Sequence, residues 1–185
     1  MISDALHDLL HAHLGKVWGK YAGKVEKNDD EDQIGRLLVS CEAVLGSEKV
    51  WARPCVPYAG PNVGFYMIPP EGAGVWIEFE GGDVSRAIWT GCYWIQGDTP
   101  AEATGADTKV IVTDAAKLTI DDQSGEVVVK NNSGSAITWN DDVKTEAAQA
   151  THTVGADGVV SESSSGKVAV GPSGVTLNDG AFSVT

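Results

Sequence analysis

The sequence predicts an all-β protein in two parts, a small closed barrel and a β-rich tail, with one short helix ahead of them. Five or so short strand-like segments lie within roughly 80 residues before Pro100, as in small closed barrels. The composition then changes: residues 1–100 hold five of the six Trp and all four Tyr. Residues 101–185 are rich in Val, Ala, Thr, Ser and Gly instead, which favours short strands over a globular core.

The predicted helix covers residues 3–14. Ser3 suits its N-cap and Gly15 suits its end. Four leucines form one apolar stripe at helical spacing: Leu6, Leu9, Leu10 and Leu14. His7 and His11 lie four residues apart, a spacing that can share a metal. The absence of an acidic general base between them favours a polar helix flank.

The barrel is predicted from five segments, each punctuated by Gly, Pro or acidic turns. The segments are Tyr21–Glu26, Gly35–Cys41, Val50–Pro57, Val75–Glu80 and Arg86–Trp94. We expect the barrel to be filled by Val39, Trp51, Ile77, Phe79 and Trp89. Arg36 either pairs with an acidic turn such as Asp32 or Asp83 or lies solvated on the surface. Several glycines are expected at strand ends, where positive φ or tight approach is needed: Gly23, Gly35, Gly60, Gly72 and Gly91.

The tail consists of short β-prone pieces separated by Gly, Asn, Asp or Ser. These pieces are Val110–Thr113, Lys117–Asp121, Glu126–Lys130, Ala136–Trp139, Lys167–Val170, Val175–Leu177 and Phe182–Thr185. Residues 146–150 fit either a helix or a strand, and the alternation of the flanking residues favours a strand. Residues 161–165 are interpreted as a polar turn. With Trp139 and Phe182 as its only aromatic residues, the tail can build only a thin core. A tail with so thin a core would be marginally stable alone. We therefore expect it to self-associate, with its strands stacked in a fibre.

Charge and cysteine content limit the classes of partner and the cellular compartment that fit this protein. Residues 1–100 carry 14 acidic and 8 basic residues, and residues 101–185 carry 12 and 5, so both halves are acidic. This argues against nucleic acid as a partner, because phosphate binding needs clustered Lys and Arg. Cys41, Cys55 and Cys92 are expected to be small buried hydrophobic residues in a reduced compartment. No signal peptide is visible, so synthesis in the cytoplasm is expected.

Six motifs in order carry a family resemblance. They begin with Gly19-Lys20-Tyr21-x-Gly23-x-Val25 and end with Ile88-Trp89-x-Gly91-Cys92-x-Trp94. The residues of these motifs that define the fold are Tyr21, Gly23, Gly35, Arg36, Trp51, Pro54, Trp76, Phe79, Asp83, Trp89 and Gly91. The series, over about residues 15–100, resembles the OB-fold of phage baseplate assembly protein V and of the related VgrG-type spike proteins. The tail resembles, more loosely, the triple-stranded β-helix that follows this barrel in the family.

The resemblance implies an intertwined homotrimer that serves as the central spike of a contractile injection machine. Its domains would be a helix over 1–14, an OB-fold over 15–100 and a trimeric β-helix over 101–185. The barrel end would face the tube hub or baseplate protein. A PAAR-type tip protein would bind the far end through Phe182, Val184 and Thr185. The spike would breach the target membrane mechanically, as part of a phage tail or injection particle delivered to the target cell surface.

Catalytic, cofactor and metal sites are not expected. A lysozyme-type domain needs paired carboxylates in a cleft and about a hundred or more extra residues, and the sequence has no room for it between Trp94 and the tail. No nucleophile elbow is present. His152 is the only tail histidine; it could point inward on the fibre axis, where three chains would supply three imidazoles, or be exposed or hydrogen-bonded. Two alternatives remain: an OB-fold module that binds nucleic acid, and a cell-wall hydrolase of a phage tail.

Overall fold

A computed structural model describes residues 13–184. The chain divides into two compact units, Met1–Asp98 and Thr99–Thr185. The predicted helix over residues 3–14 lies almost entirely outside the described residues, and His7 and His11 lie outside them. No helix in the described part is long and apolar enough to cross a bilayer.

The first unit contains a closed five-stranded barrel. Its elements are β1 (Tyr21–Lys27), β2 (Leu37–Ser40), α1 (Glu42–Leu45), β3 (Lys49–Pro54), β4 (Ala59–Gly60), β5 (Val63–Gly64), β6 (Gly74–Phe79) and β7 (Ala87–Tyr93). The barrel order is β1-β2-β3-β7-β6, with β6 returning to β1 and β3 running parallel to β7. Strands β4 and β5 form a separate small ribbon. All five predicted strands are present, and the barrel is an OB-fold.

Alternation along the strands fills the barrel. On β6, Val75, Ile77 and Phe79 point inward, as the sequence pattern predicted. The buried cluster consists of Val25, Leu37, Val39, Ala52, Val75, Ile77, Phe79, Ala87 and Trp89. The prediction that Trp51 fills the barrel is wrong. On β3, Ala52 points inward and pairs with Leu37, so its neighbour Trp51 points outward. A shift of one residue along a strand reverses the face.

Two of the other barrel predictions need correction. Cys41 is buried, but Cys55 and Cys92 are exposed. Gly23 and Gly91 lie inside β1 and β7 rather than at strand ends. Gly91 has a φ of 131° and sits in a bulge, where Thr90 and Gly91 together face one residue of β6.

The second unit is one ten-stranded sheet in which each strand pairs antiparallel with the next along the chain. Its strands are β8 (Thr108–Val112), β9 (Ala116–Asp121), β10 (Val127–Asn131), β11 (Ala136–Trp139), β12 (Val143–Ala147), β13 (Ala150–Gly155), β14 (Gly158–Ser163), β15 (Gly166–Gly171), β16 (Gly174–Leu177) and β17 (Phe182–Val184). The predicted strands are all present. Residues 161–165 are not simply a turn, because β14 extends to Ser163.

Polar side chains close the turns of this sheet. The Asp121 carboxylate accepts the backbone N–H groups of Gln123 at 2.8 Å and Ser124 at 3.1 Å, and these bonds lower the pKa of Asp121. In the next turn, between β10 and β11, the Asn131 side-chain oxygen accepts the N–H of Ser135 at 3.0 Å. Such bonds are local, so each hairpin is specified by its own sequence.

Candidate interaction surfaces

The tail sheet has one apolar face, and register defines it. Residues that pair directly across neighbouring strands lie on the same face. Following the pairs from β8 to β17 gives a row of ten residues that we call the middle file: Ile111, Leu118, Val129, Ile137, Thr145, His152, Ser161, Val168, Leu177 and Phe182.

Two further rows flank the middle file on this face. The first, the large file, contains Ile120, Val127, Trp139, Val143, Val154, Val159, Val170 and Val175, and the register extends it to Lys109 on β8 and Val184 on β17. The second, the small file, contains Ala116, Asn131, Ala147, Ala150, Ser163 and Gly166. These three files together are the apolar face, which has large side chains on one flank and mostly small ones on the other.

The opposite face of the sheet, which we call the polar face, carries most of the polar residues. These are Lys117, Thr119, Lys130, Thr138, Lys144, Glu146, Thr151, Thr153, Glu162, Lys167 and Thr176. It also carries six apolar residues: Val110, Val112, Val128, Ala136, Val160 and Ala169. Ion pairs such as Lys144–Glu146, with 2.7 Å between Nζ and Oε1, lie on it. No carboxylate occupies the three files of the apolar face, so the tail's negative charge is confined to the opposite face and the turns.

The apolar face is uncovered in the single chain. Val168 is 42% exposed, Trp139 40% and Phe182 60%. On β12 and β13 the apolar-face residues are exposed, while the residues of the polar face are half-buried. None of residues 99–182 whose exposure is described is buried. The sheet therefore has no core of its own, as the sparse aromatic content predicted.

The residues predicted at the tip are only partly described. Phe182 begins β17 and pairs with Leu177. Val184 pairs with Val175 by register, and Thr185 lies outside the described residues. His152 lies on β13, exposed, with its Nδ1 at 2.7 Å from the Ser161 hydroxyl oxygen.

The residues of the barrel motifs stabilise the fold of the barrel. Trp89 is buried and its indole N–H donates to the Gly35 carbonyl at 3.1 Å. The Tyr93 ring packs against Trp76 in a tilted arrangement, with 4.9 Å between ring centroids, and its hydroxyl donates to the Gly23 carbonyl at 3.1 Å. At Gly23 an added Cβ would lie 2.8 Å from both the Ile77 side chain and the Ser40 carbonyl oxygen, so there is no room for a side chain there.

Arg36 pairs chiefly with Asp30, a residue that sequence reasoning missed. The Arg36 Nε and Nη2 groups donate to Asp30 Oδ1 at 3.0 and 2.7 Å, and Asp32 forms a second ion pair with Arg36. Asp30 also accepts three backbone N–H groups, those of Asp32, Ile34 and Arg36. The Arg36 hydrogen bonds hold the pKa of Asp30 well below its usual range.

The other side of the Arg36 guanidinium faces Trp51, with 5.3 Å from Cζ to the ring centroid. Asp83, the alternative partner considered for Arg36, instead accepts the N–H and hydroxyl of Ser85 at 3.0 and 2.8 Å. Both arrangements stabilise loops.

The segment between β3 and β6 forms a second exposed apolar surface. Tyr58, Phe65, Tyr66 and Met67 are each at least half exposed. A cleft of about 460 Å³ lies among them, lined also by Ile34. Exposed apolar patches of this kind mark interaction sites in soluble proteins.

Five cations of the barrel unit are paired with carboxylates: Lys20, Arg36, Lys49, Arg53 and Arg86. Lys20 pairs with Glu78 at 2.8 Å, and Arg86 with Glu80 at 2.8 Å. Arg53 also pairs with Glu80. Nucleic-acid binding requires an unpaired basic face, so this arrangement disfavours it.

The comparison with protein families agrees with this architecture. The model of a family described as the type VI secretion system/phage-baseplate injector OB domain matches residues 21–94. The match runs from the first residue of β1 to one residue beyond β7 and so covers the whole barrel. No curated protein matches the chain. The resemblance of the barrel that was stated from the sequence motifs is confirmed, and residues 21–94 are similar to the OB domain of type VI secretion systems and phage-baseplate injectors.

Proposed function

We propose that this protein is the structural, non-enzymatic central spike of a contractile injection machine. The machine is of the phage-tail, type VI-like or extracellular kind. The family of the barrel supports a role in a baseplate or injector. The observation that carries the finer proposal is the apolar face of the tail, which extends over ten strands without a buried residue. A face of this size requires a partner in the working protein.

The partner we propose is two further copies of the same tail. A single chain presents an apolar face ten strands long, and a partner must match that length with an apolar face of its own. Another copy does so, strand for strand. Three copies close the face completely, because three sheets can form a three-sided prism with every apolar face turned to the axis. The large file of one chain can then pack against the small file of the next, as interdigitated cores require.

Such a prism would be stiff along its axis. Each inner strand is hydrogen-bonded to the strands before and after it, so the sheet has few open edges. Ten strands at ~4.8 Å spacing give a shaft of roughly 50 Å. A shaft without a hinge can transmit the force of sheath contraction and breach the target envelope.

The two ends have separate roles in this proposal. The barrel attaches to the tube hub or baseplate protein, and the exposed apolar segment around Tyr66 offers a surface for this contact. The tail end, where Phe182 is exposed, receives a PAAR-type tip protein. The particle acts at the target cell surface after assembly in the bacterial cytoplasm.

Assembly state is the direct test. Light scattering of the full chain is expected to give the mass of a trimer, and unheated SDS gels to show a band that collapses on boiling. Val168→Asp places a carboxylate on the apolar face and is expected to abolish the trimer. Ala169→Asp is the matched control, because Ala169 is the next residue of β15 and lies on the opposite face.

A wild-type monomer at micromolar concentration, or equal loss of the trimer in the two variants, would contradict the proposal. The two alternatives have their own assays. A gel shift with single-stranded DNA tests nucleic-acid binding, and a peptidoglycan zymogram tests hydrolysis. We expect no signal in either.

A further inference from the structure

The middle file of the apolar face is interrupted at one place. From β8 to β17 it is aliphatic or aromatic except on three consecutive strands, which carry Thr145, His152 and Ser161. His152 pairs directly with Thr145 on one side and with Ser161 on the other. A polar group among apolar ones is costly unless it has partners, so this position needs an explanation.

His152 is held by one of its two ring nitrogens. Nδ1 lies 2.7 Å from the Ser161 hydroxyl oxygen, and no hydrogen-bond partner for Nε2 is found within residues 13–184 of the same chain. With the proton on Nδ1 and donated to Ser161, Nε2 keeps its lone pair. An imidazole oriented in this way, through a hydrogen bond to its other nitrogen, is the form in which histidine binds metals.

His152 lies in the middle file, and this position determines where its Nε2 would lie in the proposed trimer. The middle file runs between the large and small files, so it follows the centre of each sheet. In a three-sided prism the centre of each side faces the axis. Three copies in register would therefore bring three His152 side chains to one level on that axis.

We propose that the three His152 imidazoles bind one divalent transition-metal ion inside the shaft, through Nε2. This inference rests on the proposed trimer. Three neutral nitrogen ligands with no carboxylate on the face favour Zn²⁺, Co²⁺ or Ni²⁺ over Ca²⁺ or Mg²⁺, which prefer oxygen ligands. A water molecule completes the tetrahedron, and the Thr145 hydroxyl, one strand away on the same file, is placed to hydrogen-bond it.

The site would join three chains at the middle of the shaft. Each chain supplies only one ligand, so no single chain can hold the ion. Within residues 13–184 of one chain, no group of three His, Cys, Asp or Glu side chains is arranged to bind a metal. Ser161 acts as a positioning residue, since it orients the imidazole without touching the ion.

Cobalt titration of the full chain, after removal of metals with a chelator, tests the proposal. Tetrahedral Co²⁺ gives intense visible absorption, and we expect it to saturate at one ion per three chains. His152→Val, which continues the aliphatic file, is expected to remain trimeric and to lose this absorption. Ser161→Ala is expected to weaken binding about tenfold or more, with the same stoichiometry.

His7→Gln/His11→Gln is the matched control, because it removes two other histidines and is expected to keep the absorption unchanged. Light scattering on the same samples separates the two proposals. A trimer that takes up no Co²⁺, or that takes it up equally after His152→Val, overturns the metal site and leaves the spike proposal intact. A wild-type monomer overturns both.

Discussion

Asp30 organises the connection between the first two barrel strands. Its side chain is 4% exposed and faces the Arg36 guanidinium and three backbone N–H groups. Hydrogen bonds to a carboxylate favour its charged form, and this is why the pKa of Asp30 is lowered. The same bonds fix the path of residues 30–36, so one charge determines how β2 enters the barrel.

Asp30→Asn is expected to lower the melting temperature of the barrel by several degrees at pH 7, because the amide loses the ion pair and one set of acceptor sites. The difference from wild type should shrink below pH ~4, the ordinary range of Asp. There the unfolded chain binds a proton while folded Asp30 stays ionised, so acid favours unfolding of the wild type.

Melting curves from pH 7 to pH 3, followed by tryptophan fluorescence, check this prediction. Asp29→Asn is the control, because Asp29 is exposed and makes no hydrogen bond within the described residues. A constant difference between Asp30→Asn and wild type across this range would mean that the charge of Asp30 has no role.

Trp89 contributes a hydrogen bond as well as volume. Trp89→Phe leaves the buried Gly35 carbonyl without its indole donor, which is expected to cost about 1–3 kcal/mol. Denaturant unfolding followed by circular dichroism measures the loss. Trp94→Phe, at a side chain that is 69% exposed, should change little. Equal stability of the two variants would contradict this role for the bond.

At the residue scale, sequence reasoning failed where local geometry decides. Trp51 was expected in the core because it is large and apolar, yet its neighbour Ala52 takes the inward position. Arg36 was expected to pair with Asp32 or Asp83 if it paired at all. Asp32 is a partner, but the loop turns Asp30 inward as well, and no residue pattern in this acidic run distinguishes the two.

At the scale of strands, Gly91 shows how a bulge shapes the barrel. Its φ of 131° belongs to a region that side chains with a Cβ rarely adopt. The bulge lets β7 continue beside β6 after Trp89 turns inward. Nothing lies within 4 Å of a Cβ added at Gly91, so backbone strain alone would oppose a substitution.

Gly91→Ala is therefore expected to destabilise the barrel by about 1–3 kcal/mol. Thr90→Ala is the control in the same bulge, where the side chain is partly exposed and only a surface bond to Lys20 is lost. Unfolding in urea, followed by tryptophan fluorescence, compares the two. A Gly91→Ala protein as stable as Thr90→Ala would show that the bulge tolerates ordinary residues.

The strands of the tail were predictable where a turn residue separates them. Ala136–Trp139 was predicted with its bounds, since Gly134 precedes it. The hairpin between β12 and β13 was harder, because its turn is Ala148-Gln149 and Ala148 adopts a φ of 49° without a Gly or Asn. Strand β14 was not predicted, because its end is rich in serine, which has a low strand propensity. Ser161 and Ser163 lie in the strand because they pair with residues of the neighbouring strands.

At the scale of the whole molecule, the two units differ in where their cores come from. The barrel buries nine apolar residues within one chain. The tail presents its apolar residues in three files on one face, and none of its described residues is buried. Period-two alternation could be seen in the sequence, but the files follow only from the register of ten strands. The proposed function therefore depends on assembly of the tail, whereas the barrel completes its core within one chain.

Trp139 provides a reporter of that assembly. It is the only Trp of the tail, it belongs to the large file, and it is 40% exposed in the single chain. In the trimer its indole would face the axial core. The fluorescence of Trp139, obtained as the difference between the wild type and Trp139→Phe, is expected to resist acrylamide quenching. With Val168→Asp in both proteins the same difference should be strongly quenched, whereas with Ala169→Asp it should stay protected. Equal quenching of Trp139 in all three backgrounds would mean that the apolar face remains open to water, and the shaft would then lack the shared core that makes it rigid.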